Sequence, residues 1–198
     1  TGSVGAEPTF ISASGGNSVI TCGNFKTHVF TAPGTFTVSS LGNPIGGADK
    51  VDYLVVAGGG SGGRDGGGGG GAGGFRVSNS STSGLSAPTM SPLVTTTALT
   101  VTATGFPITI GAGGSDHSSC SVSPSGSAST FSSITSAGGG GGSPGGGAQR
   151  PAGNGGSGGG TDRSGNAAPQ VGTGNTPPVS PPQGNPGNFH PGAIGGGG

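Results

Sequence analysis

Tryptophan is absent from this chain, tyrosine and methionine occur once each, and only 6% of the 198 residues are charged. The missing charge excludes most electrostatic partners. Six Lys and Arg balance six Asp and Glu, so the chain has no footprint for phosphate backbones or anionic lipid. Disorder driven by net charge is excluded on the same ground. Long hydrophobic runs are also missing: the longest, Tyr53 to Ala57, has the length of a buried strand and falls far short of the roughly 18 residues of a membrane helix. The first residues lack the basic and apolar stretches of a signal peptide. The chain opens on Thr1 rather than Met, so processing and a longer parent chain are both open, as they are beyond Gly198. With 27% apolar residues, a side-chain core can only be small.

What fills the sequence instead is glycine, 52 residues of it. Runs stand at 66–71, 138–142, 145–147, 158–160 and 195–198. Glycine loses the most conformational freedom on folding and brings no side chain to a core. Such composition ordinarily marks a linker, so an ordered chain needs another means of holding its glycines still.

Residues 1–57 read as a base of strands. Phe10 to Ala13 begins it, a Ser-Gly-Gly-Asn turn follows at 14–17, and Val19 to Thr21 is a second strand. Phe25, Thr27 and Val29 alternate with Lys26, His28 and Phe30, the period of a sheet. Ala32-Pro33-Gly34-Thr35 supplies a turn, and Phe36 to Ser39 resumes the alternation, which predicts a hairpin between the two runs. Val51 to Ala57 is the strongest strand, apolar enough for burial on both faces. From 58 to 137, strands interleave with glycine within the same domain: Phe75 to Val77, Thr95 to Ala103, Pro107 to Ile110, and Thr130-Phe131 with Ile134. No helical periodicity occurs anywhere.

The region 138–198 holds too few apolar side chains for a core. The ordered state open to it is a set of polyproline-II-type helices, with three residues per turn and no internal hydrogen bonds. Their outward N–H and C=O groups must find partners, and glycine lets neighbouring helices approach until they do. Pro177-Pro178, Pro181-Pro182 and Pro186 suit outer segments or turns. The strict Gly-X-Y period of collagen is absent. Ordering each such residue costs about 1–2 kcal/mol, against a net gain of about 0.5–1.5 kcal/mol per hydrogen bond. A neighbouring subunit would tip that balance, so a homo-oligomer such as a trimer, or a filament, is expected. The expected fold is all-β: a small antiparallel β-sandwich or jelly-roll-like base carrying layers of polyglycine helices, without α-helix.

Cys22 and Cys120 are the only cysteines; a disulfide between them would close a long loop and add about 4 kcal/mol, and two free thiols are the alternative. Glycine strings satisfy G-x-G-x-x-G by composition alone, and no helix follows the Val51 strand, so a nucleotide site is not expected. A Walker Gly-Lys-Ser/Thr sequence is absent. Asp116 and His117 share a loop with Cys120, a polar turn before it is a metal site. His28 reads as a sheet residue, and Asn79-Ser80-Ser81 is a glycosylation sequon by pattern only. No catalytic residue, metal or cofactor is expected.

The junction Val51-Asp52-Tyr53-Leu54-Val55-Val56-Ala57-Gly58-Gly59-Gly60 resembles the glycine-rich domains of bacteriophage tail-fibre and related virion proteins. Companion segments resemble that family in order: 25–31 with 34–38, Gly70 to Arg76, Thr104 to Gly111, and Thr130 to Gly138. The resemblance covers about residues 10–198 and implies a β base with polyglycine helices, no catalytic residues, other virion proteins as partners, and a place on the virion surface. Bacterial surface proteins carry the same domain type, so a cell-surface or extracellular fibre or matrix protein is the alternative. An ice-binding protein is a third reading, weakened by the missing tripeptide repeat. Turns between rigid helices are where binding variation would sit. Arg64-Asp65, Asp116-His117, Gln149-Arg150, Asp162-Arg163 and Phe189-His190 are the candidate host-contact sites, for a surface receptor or glycan, with plain solvated turns as the alternative.

Overall fold

The computed structural model describes residues 5–80, 93–116, 121–145, 150–162, 170–189 and 196–198. The chain is all-β, with several mainly antiparallel sheets and a 3-10 turn at Pro44–Gly46. The principal sheet has five antiparallel strands. In spatial order they are β1 (Ser12–Ser14), β4 (Gly34–Ser40), β10 (Gly105–Thr109), β11 (Ser129–Phe131) and β12 (Ile134–Ser136). Along β4 the alternation of Phe36 and Val38 with polar neighbours is realised as alternating burial, because successive side chains leave a strand on opposite faces. Phe36, Val38, Val101 and Ile108 form the buried core. Phe30, Leu99, Phe106 and Phe131 pack around it. Phe36 meets His28 and Phe131 edge to face, at ring separations of 5.2 and 5.8 Å.

Three smaller sheets adjoin it: β2 (Ser18–Cys22) with β3 (Phe25–Val29), β5 (Lys50–Val51) with β9 (Leu99–Thr100), and β6 (Leu54–Val56) with β7 (Phe75–Ser78) and β8 (Val94–Thr95). Several strand expectations are corrected. The alternating run 25–29 does not pair with 34–40 across the Pro33-Gly34 turn. It pairs with β2, Ser18 opposite Val29, and β4 lies between β1 and β10. The period of the residues specified strands, and the core chose their partners. The run Val51 to Ala57 is likewise broken into β5 and β6, and only Val55 within it is buried. Leu54 and Val56 are exposed, so the run is not covered on both faces. Thr95 to Ala103 is also divided, between β8 and β9, and the expected last strand is a hairpin, β11 with β12, turning at Ser132 in the left-handed region (φ 53°).

Beyond the strands, extended segments bond to each other through backbone alone. In the segment 57–63, Gly58 and Ser61 donate to Ser127 and Pro124. The carbonyls of Gly58 and Ser61 accept from Gly139 and Gly142. Gly60 and Gly63 donate to Gly71 and Gly68. Each pair of bonds is spaced by three residues on both partners, so each neighbour meets the same face of a threefold helix. Segment 138–143 is the most enclosed. Backbone bonds of 2.7–3.1 Å join it to 58–61, 68–71, 123–126, 153–156 and 157–160. Residues 139–145 and 155–162 are buried, although among the described residues beyond 138 the buried apolar side chains are only those of Pro144 and Ala152. Glycine is required there by close approach. A Cβ on Gly140 would overlap the carbonyl oxygen of Gly153, and one on Gly68 that of Gly160.

Serine takes the place of glycine where its hydroxyl finds a backbone group. Ser123 Oγ donates to the Gly62 carbonyl (3.0 Å), and Ser143 Oγ accepts from the Asp162 N–H (2.7 Å). Gln183 joins the array to the base. It is 1% exposed; its Oε1 accepts from the Ala137 N–H, its Nε2 donates to the Pro177 carbonyl, both at 2.8 Å, and its own carbonyl accepts from Phe75 in β7. Pro177, Pro178, Pro182 and Pro186 are exposed, whereas Pro144 lies fully buried in the array.

Candidate functional site

The sequence-selected turn residues fall at several points around the array. Arg64 and Asp65 form the turn between 57–63 and 67–74, with both side chains exposed and Nε 3.6 Å from Oδ2. The Arg64 carbonyl accepts from Gly67 and Gly145, and Asp65 is left-handed (φ 55°). The turn is therefore fixed by backbone while its side chains stay in solvent. Asp116 and Arg150 are exposed and Phe189 is half-buried. Asp162 differs from expectation: it is buried, 8% exposed, because its N–H is held by Ser143 Oγ inside the array. Among the described positions, one ion pair joins two of these residues, Arg64 and Asp65. His117, Gln149, Arg163 and His190 lie outside the described residues. So does Cys120; Cys22 is exposed and free at the end of β2. Among the described residues no three His, Cys, Asp or Glu side chains gather as a metal site.

A second region gathers side chains that the sequence reading did not single out. Between β6, β7 and the 95–100 stretch lies an open cleft of about 470 Å³, lined by Tyr53, Arg76, Thr95, Thr97, Ala98, Leu99, Thr100, Ile134 and Ser180. Its wall is fixed from behind by Asp52, whose carboxylate accepts from Ser78 Oγ (2.8 Å), Ser80 N (3.0 Å) and Ser80 Oγ (2.9 Å). Ser78 Oγ in turn accepts from the Tyr53 N–H at 3.0 Å. Asp52 thus locks the end of β7 to the link between β5 and β6 that bears Tyr53. Burial pushes the Tyr53 phenol above its usual 10.0; the Arg76 guanidinium opposes that rise and Asp52 adds to it. Among the described residues Arg76 makes one hydrogen bond, Nη1 to the Thr135 carbonyl at 3.5 Å. No sequence pattern marks this cleft, since its members are single, unremarkable residues up to 127 positions apart, from Tyr53 to Ser180.

A glycine-rich domain model matches residues 31–198, which span the array and the strands from β4 onward. The chain belongs to the glycine-rich domain family. Within this glycine-rich domain the match takes in both the Arg64-Asp65 turn and the Tyr53–Arg76 cleft. Neither a curated protein nor a solved structure matches the chain.

Proposed function

We propose that this glycine-rich domain protein is a non-enzymatic structural protein of a bacteriophage virion, an appendage or tail-fibre adhesin or a decoration protein that displays turns for host attachment. The observation that carries the reading is the array itself. Segments bonded through backbone at three-residue spacing are rigid without a side-chain core, and the turns between them are free to vary without disturbing the bonds. Arg64-Asp65 is the plainest instance, with a pinned backbone and exposed side chains. The resemblance of the 51–60 junction to virion proteins supplies the carrier. Other copies of the chain and other virion proteins are its partners in this reading, and a host surface receptor or glycan is its target.

Immunogold labelling with antibody against the purified chain tests the carrier. Label on the tails or heads of phage particles is the expected outcome. Label confined to fibres on cells, with particles unlabelled, would overturn the virion reading in favour of a cell-surface matrix protein.

A further inference from the structure

We propose that the Tyr53–Arg76 cleft binds an acidic saccharide, a sugar carrying a carboxylate. The cleft is separate from the array turns, so the inference goes beyond the reading above and stands whether or not the chain is carried on a virion.

Four separate parts of the chain build the cleft: Tyr53 ahead of β6, Arg76 in β7, the 95–100 stretch, and Ser180 from the proline-rich region, with Ile134 of β12 at its edge. Its lining is unusual for this chain. Among the described residues it holds one positive charge and no carboxylate, together with five hydroxyl groups, on Tyr53, Thr95, Thr97, Thr100 and Ser180. One guanidinium with no opposing acid selects an anion, and its planar donors match a carboxylate two-to-two. Arg76 spends one of its five N–H groups on a long bond to Thr135, which leaves the others to a ligand.

The hydroxyls decide the class of anion. Thr95 Oγ1 accepts from the Thr97 N–H at 3.2 Å, and Thr100 Oγ1 accepts from Lys50 Nζ, so both hydroxyl protons remain to be donated outward. Such groups, able both to donate and to accept, complement the ring hydroxyls of a sugar. The aromatic ring of Tyr53 and the side chain of Leu99 offer apolar surface to the C–H face of a pyranose. A volume of about 470 Å³ lies within the usual range for small-ligand sites, enough for one or two sugar rings. An apolar peptide would leave the hydroxyls unmatched.

Tyr53 is the only tyrosine and there is no tryptophan, so its fluorescence reports this cleft alone. The full chain titrated with trigalacturonate should show a saturable change, and neutral maltotriose should show none at the same concentration. Arg76→Gln should weaken trigalacturonate binding about tenfold or more, as loss of a charge-assisted pair requires. Thr97→Ala should weaken it about threefold by removing one neutral hydrogen bond. Lys26→Gln, on the exposed part of β3, should change nothing. Equal response to maltotriose, full displacement by equimolar inorganic phosphate, or unaltered affinity in a folded Arg76→Gln chain would each overturn the proposal. If Arg76→Gln does not fold, unaltered affinity in both Thr97→Ala and Ser180→Ala overturns it instead.

Discussion

In the β base, side chains face inward and the backbone is paired within sheets; in the glycine array, the backbone itself is what faces inward. Phe36, Val38, Val101 and Ile108 exclude water from the base. Residues 139–145 are as thoroughly buried, yet their neighbours are the N–H and C=O groups of other segments. The two regions therefore respond to opposite insults. The base is sensitive to removing atoms and the array to adding them. A β base tolerates Ser or Thr on its outer face, whereas the close-approach glycines of the array have no room for a Cβ, and Ser123 and Ser143 stand where a hydroxyl meets a backbone group.

The largest expected effect comes from one added methyl group in the array. Gly140→Ala would drive Cβ into the Gly153 carbonyl and should cost about 3 kcal/mol or more, read as loss of the folded circular-dichroism signal or a collapse of the urea midpoint. Gly196→Ala, with nothing within 4 Å of the new atom, is the matched control. Equal stability of the two variants would break the comparison. The base is tested in the reverse direction. Ile108→Ala should cost about 3 kcal/mol through lost burial and a cavity, and hydrogen exchange at the amides of 138–143 should accelerate with it if Gln183 ties both regions into one cooperative unit.

That tie is tested next. Gln183→Ala leaves the Ala137 N–H and the Pro177 carbonyl without their partners and should cost about 2 kcal/mol. A transition that splits into two, base and array, would mark Gln183 as the joint between them. A smaller effect is expected from pH. The Tyr53 phenol is raised in the folded chain by burial, so the folded state keeps its proton where the unfolded chain has lost it. Stability is then full below about pH 10 and falls as pH rises through the folded value. A urea midpoint that rises from pH 9 to about pH 11 would contradict the burial of that ring. The smallest effect belongs to Thr161, whose buried Oγ1 has no hydrogen-bond partner among the described residues. Thr161→Val removes the unpartnered hydroxyl at nearly equal volume and should change stability by less than about 0.5 kcal/mol, or raise it slightly. A clear loss on thermal denaturation would mean that the hydroxyl is bonded.

Much of this division was legible in the sequence. Phe36 and Val38 announce β4 by their spacing, and the glycine runs announce a region without a side-chain core. Pairing was not legible. Phe25, Thr27 and Val29 have the alternation of a strand that would serve equally beside β4 or β2, and the exposed Phe25 (70%) shows that apolar alternation did not win it a core position. The Leu54–Val56 run misled for a related reason. Its apolar side chains are as suited to a covered sheet as to the partly open one found. Of the turn residues, Arg64 and Asp65 stand exposed as their charge suggests, but Asp162 is taken inside, where its N–H donates to Ser143 Oγ. Nothing in the local sequence of Gln183, a glutamine between Pro182 and Gly184, marks it as the residue that joins two regions. The Tyr53–Arg76 cleft was equally silent, because its members meet only after β6, β7 and the 95–100 stretch come together.

The sequence by itself determined an all-β chain without helical periodicity, only a small side-chain core, and a glycine region obliged to pair its backbone between segments. Those follow from composition and period, which are local properties. Only the tertiary structure decided which segment bonds to which. One glycine presents the same N–H and C=O as any other, so a run of glycines carries no information about its partner or register. That information enters through the few side chains that reach across, Gln183, Ser136 (Oγ to the Val55 carbonyl, 2.7 Å) and Ser143 among them, and through the β base on which the first segments are laid down.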